Sequence, residues 1–516
     1  MTYYGDSVNT LRSTPDVAVL SSLRAPSVVG SPLEYHSLIK RMLPLGMLSL
    51  TLHPRVVNGV FCVPKDGDAL RLIIDARYAN AHFIDPPKLE LPTPDLMCHL
   101  VTDPTRPLFV AKADLDNFYH RLRLPAWMRP YFALPAVSAA ELGVIGQLVD
   151  GRILQPSDMV HPMCVCLPMG YSHAVFIAQR CHEHILYSRA GYDRNDAITT
   201  STDLRVDDRV RHHVYIDDLT WFGHDRDAVE RSQTRYDSAI TDADLRIKRS
   251  KWVPPSCEGV ESIGMLIDGR THTIGVSPAK LLLLQRDTER FIADGVSTGL
   301  QLSALIGRWT WACLAARPAL SVFRSVYRFI EVAGRKRYGL WRSVIAELQT
   351  VSGLSPLLST DMSAFTFPKV VASDASLTGV GVCVRPLTDD DIIAGVSPLR
   401  SDQHTCVTSP PHHHNDWRTI VSSRWRVAEH INILESRALS TAVRWVMSSP
   451  HCVGTRVILF CDSQVTIGSV LKGRSSSPPL LRRLRSLAAL CLSVGIRLRL
   501  LWIPSHLNPA DVPSRV

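Results

Sequence analysis

The stretch HHVYIDDLTWFGH, residues 212–224, places two adjacent carboxylates, Asp217 and Asp218, inside an otherwise apolar run. Burying an unpaired charge is unfavourable, so a strand-like segment has little reason to carry two acids in its middle. Two explanations are open. Either the pair lies in a tight turn, where Asp is common, or the two acids bind something positively charged.

The overall composition is that of an ordinary globular protein. The chain has 516 residues, of which 46% are hydrophobic and 20% charged, enough for roughly two to four domains. Its net charge of +9 permits a polyanionic partner, and its 12 scattered cysteines indicate a reducing compartment. We find no apolar run of bilayer length and no signal-peptide pattern. The sequence therefore predicts an intracellular protein, cytoplasmic or nuclear and not secreted, without a membrane partner.

Changes in residue pattern predict an α+β chain of several domains. Residues 1–50 read as a weakly structured N-terminal extension, and 51–275 alternate β-rich and helical stretches. Residues 276–350 carry Leu, Ala, Arg and Trp at helical spacing, which predicts a helical unit. A linker over 351–368 then leads to strands and helices in 369–516, an order typical of a compact α/β domain.

A second interrupted strand lies upstream of the opening stretch. In KADLDNFYHRLRLP, residues 112–125, Asp114 breaks a strand-like segment. Two divalent cations about 4 Å apart can hold an in-line phosphoryl transfer, and they need a few carboxylates that reach both ions. A strand end with one Asp, beside a hairpin turn with two, would supply such a cluster. This favours cation binding by Asp114, Asp217 and Asp218.

At this point the sequence resembles the reverse transcriptases of retroelements. The resemblance rests on six motifs that follow one another in the family's order. They are VPKDGDALRLIIDARYAN (63–80), Asp114 with Tyr119, LPMGYSHAVFIAQ (167–179), YIDD (215–218), LRIKRSK (245–251) and ESIGMLIDG (261–269). Any one of them would be weak evidence, but six in order are specific. The resemblance implies a right-hand polymerase with fingers and palm in 51–275 and a thumb or connection in 276–350.

The resemblance also implies a metal site and its ligands. Asp114 and Asp217 would be the principal ligands of two Mg²⁺ ions, with Asp218 assisting and Mn²⁺ as an alternative metal. Lys248 or Lys251 would protonate the leaving group.

The incoming nucleotide would be bound by a further set of residues that the resemblance implies. Lys65 and Arg71 would neutralise its phosphates, although Lys65 could also reflect turn chemistry, since a hairpin turn is predicted at Asp66-Gly67 between two strands. Tyr119 would select deoxynucleotides by excluding a 2′-hydroxyl, although it could also be a core aromatic. Met169 and Gly170 would lie beside the nucleotide, with Gly170 letting the backbone approach it.

Four further acids in the C-terminal region predict a second two-metal site. Asp374, Glu435, Asp462 and Asp511 each fall at an end or interruption of a regular element. Their order resembles that of ribonuclease H, which implies Mg²⁺ binding by all four acids and cleavage of RNA in hybrids. His506 resembles the mobile-loop histidine of that family. Because the chain reaches Val516 just after Asp511, we expect this acid to lack the usual supporting helix.

Two other groups of potential metal ligands have simpler explanations. His412, His413 and His414 invite a metal assignment, but a solvated loop explains them better. Cys164 and Cys166, near His161, could bind zinc, but alternation along a strand explains them better.

The whole sequence thus predicts an RNA-directed DNA polymerase with ribonuclease H activity, from a DIRS-like or Ty3-like retrotransposon. Its partners would be an RNA template, a DNA primer, an RNA–DNA hybrid and deoxynucleoside triphosphates; the oligomeric state is left open. The main alternative is a decayed or domesticated retroelement protein that only binds nucleic acid. Intact acids at all seven positions argue against decay. A second alternative, an RNA-templated RNA polymerase, conflicts with Tyr119 and with the ribonuclease H half.

Overall fold

The computed structural model describes residues 4, 10–65, 69–396 and 416–516. The first half is a series of short hairpins and helices around one central sheet. Its elements are α1 (Val17–Ser22), α2 (Pro32–Met42), β1 (Leu48–Thr51), β2 (Gly59–Pro64), β3 (Leu70–Asp75), α3 (Arg77–Asn80), α4 (Pro94–Met97), β4 (Phe109–Asp114), α5 (Phe118–Arg121), β5 (Val137–Ser138), α6 (Ala139–Leu142), β6 (Leu148–Val149), β7 (Arg152–Ile153), β8 (Met159–Cys164), α7 (Ala174–Ser188), β9 (Arg211–Tyr215), β10 (Asp218–Gly223) and α8 (Arg226–Asp242).

The central sheet is antiparallel and has the order β11-β4-β10-β9, where β11 is Val253–Ser256. Its two inner strands, β4 and β10, are largely buried along their length. Helix α8 packs on β4 and β10 with buried residues at helical spacing, among them Val229, Tyr236 and Ile240. This packing fixes the strand ends that carry the acids.

The hairpin predicted from residues 63–80 is formed by β2 and β3. The two strands pair antiparallel from Gly59 with Asp75 to Pro64 with Leu70. The backbone N–H of Lys65 donates to the carbonyl of Ala69 at 2.9 Å. The turn expected at Asp66-Gly67 lies outside the described residues.

The description of residues 1–50 as weakly structured is wrong for much of this segment. Helix α2 begins with a capping box in which Ser31 and Glu34 satisfy each other's backbone N–H groups, followed by Pro32 at its first position. Tyr35 and Ile39 on this helix are buried in the main core. These local signals were present in the sequence and were overlooked among the surrounding Ser and Pro residues.

The next segment forms a second four-stranded sheet and, over residues 276–350, is mainly helical, as its residue spacing predicts. Its elements are β12 (Val260–Ser262), β13 (Met265–Asp268), β14 (Thr273–Gly275), α9 (Pro278–Asp294), β15 (Val296–Thr298), α10 (Gly299–Cys313), α11 (Ser325–Ala333), β16 (Arg337–Gly339), α12 (Arg342–Gly353) and β17 (Ser359–Asp361). The prediction of a linker over 351–368 is wrong, because β17 pairs with β14 and completes a four-stranded sheet. A three-residue strand gives too short a pattern to be recognised before its partner is known.

The C-terminal region is a mixed five-stranded sheet covered by helices. Its elements are β18 (Lys369–Ala375), β19 (Gly379–Pro386), α13 (Asp389–Val396), β20 (Arg418–Arg424), α14 (Ile431–Met447), β21 (Arg456–Cys461), α15 (Gln464–Lys472), α16 (Pro478–Val494), β22 (Arg497–Trp502) and α17 (Asp511–Ser514). The strand order is β20-β19-β18-β21-β22. The first three strands are antiparallel, whereas β18, β21 and β22 are parallel. Together with the first half, this arrangement is the predicted α+β class.

Candidate active sites

The first candidate site is built on the hairpin between β9 and β10. Tyr215 pairs with Asp218, so Ile216 and Asp217 form the tip of a tight turn. Ile216 has φ of 58°, in the left-handed region that β-branched residues rarely adopt. Such a conformation costs on the order of 1–3 kcal/mol and persists only where neighbouring groups hold it. The first explanation of the opening stretch therefore applies, since the acids lie at a tight turn, and the strain at Ile216 indicates that neighbouring groups hold this turn in place.

Helix α7 holds this strained turn through two polar side chains. Gln179 accepts a hydrogen bond from the Ile216 N–H at 2.7 Å and donates to the Val214 carbonyl at 3.2 Å. The Nδ1 atom of His182 lies 2.9 Å from the Ile216 carbonyl, and Tyr236 lies 2.7 Å from its Nε2 atom. Because a carbonyl only accepts, Nδ1 carries the proton and Nε2 accepts from the Tyr236 hydroxyl.

These supporting residues were missed by sequence analysis. Gln179, His182 and Tyr236 are buried, and burial lowers the pKa of His182 to about 4, so the ring is neutral. The available signal was a polar pair three residues apart on an otherwise apolar face of the helix that follows LPMG. Such a pair shows that a helix has a polar contact, but not which distant segment it contacts.

Asp114 lies directly beside the two acids of the turn. It ends β4 and pairs across the sheet with Asp218, and the Leu115 N–H donates to the Asp217 carbonyl at 2.9 Å. Asp114 is 5% exposed, while Asp217 and Asp218 are half-buried. The structure therefore brings together the three acids that the sequence proposed as one cluster.

Burial and neighbouring charge disfavour the ionised forms of Asp217 and Asp218. Burial raises the pKa of Asp218 to about 6, and nearby Asp114 and Asp217 add to the effect of burial, while Lys112 opposes it. Burial, followed by the charge of Asp114, also raises the pKa of Asp217. A concentration of like charge of this kind binds cations.

Two lysine side chains form ion pairs with these acids. The Nζ of Lys251 donates to Asp114 Oδ2 at 2.5 Å, and the Nζ of Lys112 lies 3.3 Å from Asp218 Oδ2. Burial lowers the pKa of Lys251, but its hydrogen bond to Asp114 and the neighbouring acids outweigh burial and leave that pKa raised. Lys112 was not proposed from the sequence, although it lies two residues before Asp114 and so on the same face of β4.

The residues proposed to bind a nucleotide lie around this cluster. Tyr119 lies on α5, the helix that follows Asp114 in the chain. Burial, together with the charge of Asp217, raises the pKa of Tyr119 to about 12, and the charge of Arg71 acts to lower it. Tyr119 therefore lies within electrostatic reach of both Asp217 and Arg71. Arg71 is exposed on β3, and Lys65 is half-buried just beyond the end of β2. The hairpin of β2 and β3, which we call the fingers hairpin, thus carries two cations, with Arg71 within electrostatic reach of Tyr119 and Lys65 within electrostatic reach of His120.

The structure gives a further reason for glycine at position 170, beside the predicted approach of the backbone to the nucleotide. A Cβ atom at this position would lie 2.1 Å from the Ile74 carbonyl oxygen, and its φ is 121°. The preceding residue, Met169, accepts a hydrogen bond from the Ile74 N–H at 3.0 Å. Asn80 donates to the Gly170 carbonyl at 3.0 Å. Gly170 therefore permits close contact with the fingers hairpin.

The second candidate site is at the carboxyl ends of β18 and β21. These neighbouring parallel strands pair at Ala372 with Phe460, and Asp374 and Asp462 each follow two residues later. Glu435 lies on α14, which packs against β18. The sheet and the helix thus place three acids from distant segments at one point.

The electrostatics of this second site resemble those of the first. Burial, followed by the charges of Asp462 and Asp374, raises the pKa of Glu435 to about 9. Burial also raises the pKa of Asp374 to about 6, and the nearby Asp462 and Asp511 contribute. Glu435 Oε2 and Asp462 Oδ1 are buried and have no hydrogen-bond partner among the described residues. Two such orphaned oxygens fit a bound cation.

Asp511 is better supported than the sequence analysis expected. It begins the short helix α17, and Arg515 donates to its Oδ1 at 2.7 Å and to its Oδ2 at 3.1 Å. The carbonyl of Ser514 accepts a hydrogen bond from Ser376, which follows β18, at 2.6 Å. The prediction that Asp511 lacks a supporting helix is therefore wrong, because a single turn anchored to the sheet is sufficient.

The loop before Asp511 also contacts the site. Asn508 is buried and donates to the Ser373 carbonyl at 3.2 Å. Ser505 donates to Asp462 Oδ2 at 2.6 Å. His506 directly follows Ser505, the residue that contacts Asp462, and its side chain is exposed.

The zinc assignments find no support among the described residues. Within that part of the chain, one group of at least three potential ligands stands close enough to hold an ion, namely Glu435, Cys461 and Asp462. The Nδ1 of His161 lies 2.9 Å from the Leu134 carbonyl. His412–His414 lie outside the described residues.

Comparison with known proteins finds a family model that matches the part of the chain containing the first site. Residues 63–265 match the family model described as "Reverse transcriptase (RNA-dependent DNA polymerase)". None of the curated proteins compared with the chain matches it. No helix among the described residues is long and apolar enough to cross a membrane.

Solved structures with a similar fold include three of the foamy viral protease-reverse transcriptase. The first is a dRH form with double-stranded DNA, at 12% identity and a TM-score of 0.48, covering 95% of this chain and 74% of that chain. The second is a complex with double-stranded DNA, at 13% identity and a TM-score of 0.49, covering 95% of this chain and 88% of that chain. The third is a complex with an RNA/DNA hybrid, at 13% identity and a TM-score of 0.48, covering 95% of this chain and 57% of that chain.

Proposed function

We propose that this chain, whose residues 63–265 match a reverse transcriptase family model, extends a DNA primer on an RNA template at Asp114, Asp217 and Asp218. The observation that carries the proposal is the pairing of Asp114 with Asp218 on adjacent strands. Asp218 Oδ1 is buried and has no hydrogen-bond partner among the described residues, which fits a bound cation. Two Mg²⁺ ions, or Mn²⁺, would supply Lewis-acid stabilisation of the phosphoryl group when bound.

The side chains around the acids have separate roles in this proposal. Lys65 and Arg71 of the fingers hairpin would bind the phosphates of the incoming deoxynucleotide. The ring of Tyr119, half-buried near Asp217, would exclude a 2′-hydroxyl. Lys251 contacts Asp114 and is therefore favoured over Lys248 as the donor of a proton to the leaving pyrophosphate.

The C-terminal site supports a second activity, cleavage of the RNA strand of an RNA–DNA hybrid. Asp374, Glu435, Asp462 and Asp511 would hold two Mg²⁺ ions, and the orphaned oxygens of Glu435 and Asp462 fit that assignment. The exposed His506 would help the product to leave. These two activities together are those of a retrotransposon enzyme that removes the template after copying it.

The first experiment is primer extension on poly(rA)/oligo(dT) with Mg²⁺. The wild type should extend the primer, Asp217→Asn should not, and Asp208→Asn, a surface change distant from the cluster, should behave as the wild type. A wild type that binds hybrid without extending it would support the nucleic-acid-binding alternative. Extension that survives in Asp217→Asn would show that the acids have been assigned wrongly.

The nuclease is tested separately on a hybrid with labelled RNA. Cleavage should be lost in Asp374→Asn and retained in Asp416→Asn, an exposed acid in the same domain. Retained polymerase activity in Asp374→Asn would show that the protein remains folded. Equal cleavage by both variants would contradict the assignment of Asp374.

A further inference from the structure

The proposed nuclease site contains a thiol. Cys461 is the last residue of β21 and immediately precedes Asp462. Its Sγ atom, a carboxylate oxygen of Glu435 and a carboxylate oxygen of Asp462 all lie within 4.8 Å of one another. It is the one group of this kind in the described parts of the chain.

The geometry of this group suits a small ion with mixed sulfur and oxygen ligands. Zn²⁺ binds sulfur at about 2.3 Å and carboxylate oxygen at about 2.0–2.2 Å, so tetrahedral ligand atoms lie roughly 3.5 Å apart. Small rotations of the two carboxylate side chains would close the present separation. Glu435 is 7% exposed, and its Oε2 atom is buried and lacks a hydrogen-bond partner in the described structure. A buried acceptor of this kind is available to a metal.

The thiol changes which metals the site prefers. Mg²⁺ takes oxygen ligands in octahedral geometry and gains little from sulfur. Zn²⁺ and Cd²⁺ bind thiolates strongly, so Cys461 would add a ligand for them that it does not provide for Mg²⁺. Entry is open on one side, because Cys461 is fully buried whereas Asp462 is half-buried.

We propose that Cys461, Glu435 and Asp462 form a site for a soft divalent cation, Zn²⁺ or Cd²⁺, that competes with Mg²⁺ and inhibits the nuclease. When the ion binds, the metal–sulfur bond replaces the S–H bond and the proton passes to the buffer. The proposal rests on the proposed function only for its inhibitory consequence; binding of the soft ion does not depend on it.

The direct test is titration of the full chain with Cd²⁺, followed by the ultraviolet charge-transfer band of the cadmium–thiolate bond in excess Mg²⁺. Cys461→Ser should lose one equivalent of the tight-binding signal. Cys62→Ser, which removes an exposed thiol outside this group, should keep that equivalent. In Glu435→Gln, Cd²⁺ should bind at least about tenfold more weakly, since even groups that only support ligands contribute that much.

Activity provides an independent readout. Zn²⁺ should inhibit hybrid cleavage by the wild type at concentrations that leave primer extension unchanged, and Cys461→Ser should require more Zn²⁺ for the same inhibition. If Cys461→Ser unfolds, Cys461→Ala serves in its place, with circular dichroism confirming the fold. Equal Cd²⁺ binding by the wild type and a folded Cys461 variant would overturn the proposal. Loss of cleavage in every protein, with Cd²⁺ binding intact, would refute the nuclease alone.

Discussion

Replacing Gln179 with leucine tests whether the strained turn controls polymerisation. The substitution keeps the size of the side chain but removes the acceptor for the Ile216 N–H at 2.7 Å and the donor to the Val214 carbonyl at 3.2 Å. Leaving such a group unpaired costs about 1–3 kcal/mol. The φ of 58° at Ile216 stores a further cost on the order of 1–3 kcal/mol. We therefore expect the turn to relax and to displace Asp217.

The expected effect on activity is similar in free energy to the effect on stability, because a 100-fold change in rate corresponds to about 2.7 kcal/mol. A displacement of about 1 Å at a reacting centre can lower the rate on the order of 100-fold. The free energy of unfolding should fall by about 1–3 kcal/mol, the contribution of the lost hydrogen bonds. The assay is single-turnover primer extension with saturating deoxynucleotide, with stability measured by urea denaturation.

Gln233→Leu is the matched control. Gln233 is also 2% exposed and donates to two backbone carbonyls of the same sheet, those of Lys112 and Val253, but it does not contact the turn. The Gln233→Leu variant should lose a similar amount of unfolding free energy to Gln179→Leu, but it should keep most of its rate of primer extension. If both variants extend primers at the same rate, then the link between turn geometry and catalysis is refuted.

Three further changes separate other parts of the structure. Gly170→Ala should destabilise the fingers hairpin and reduce extension, because the new Cβ would lie 2.1 Å from a carbonyl oxygen of β3. Gly307→Ala is the control: no atom lies within 4 Å of its new Cβ, so it should slightly raise the melting temperature. Burial lowers the pKa of His213 from its ordinary 6.5 to about 3. The neutral ring therefore stabilises the fold fully above pH 6.5, and this stabilisation is lost as the pH falls toward 3. Denaturation at a series of pH values should show a slope reduced by up to ~1.4 kcal/mol per pH unit in His213→Gln. Arg515→Ala should weaken hybrid cleavage by removing the ion pair to Asp511, without changing primer extension; a parallel loss of both activities would contradict this.

Local patterns in the sequence were sufficient for the acids and the main elements. An acid in an apolar strand needs a compensating partner, and this rule alone singled out Asp114, Asp217, Asp218 and Asp374. Helical spacing likewise predicted the long helices of residues 276–350. Residues 63–265 match a reverse transcriptase family model, which agrees with the resemblance found in the motifs of that region.

The errors came from features whose meaning depends on distant partners. Strand β17 is too short to have a pattern, and only its pairing with β14 shows that residues 351–368 are not a linker. The close approach of Gly170 to the Ile74 carbonyl likewise could not be read from the motif, because the two residues are far apart in the sequence. Asp511 is supported by its ion pair with Arg515 and by the hydrogen bond that joins α17 to the end of β18, and the second of these contacts depends on the fold.

The sequence by itself determined which acids interrupt apolar strands, because the cost of burying a charge is a local property of each segment. Only the tertiary structure decided how those charges are held. Gln179 and His182 reach the Ile216 backbone from another helix, and Cys461 meets Glu435 across a strand–helix contact. Hydrogen bonds and metal ligands act over a few ångströms, so their partners depend on how the whole chain packs and leave little trace in local spacing.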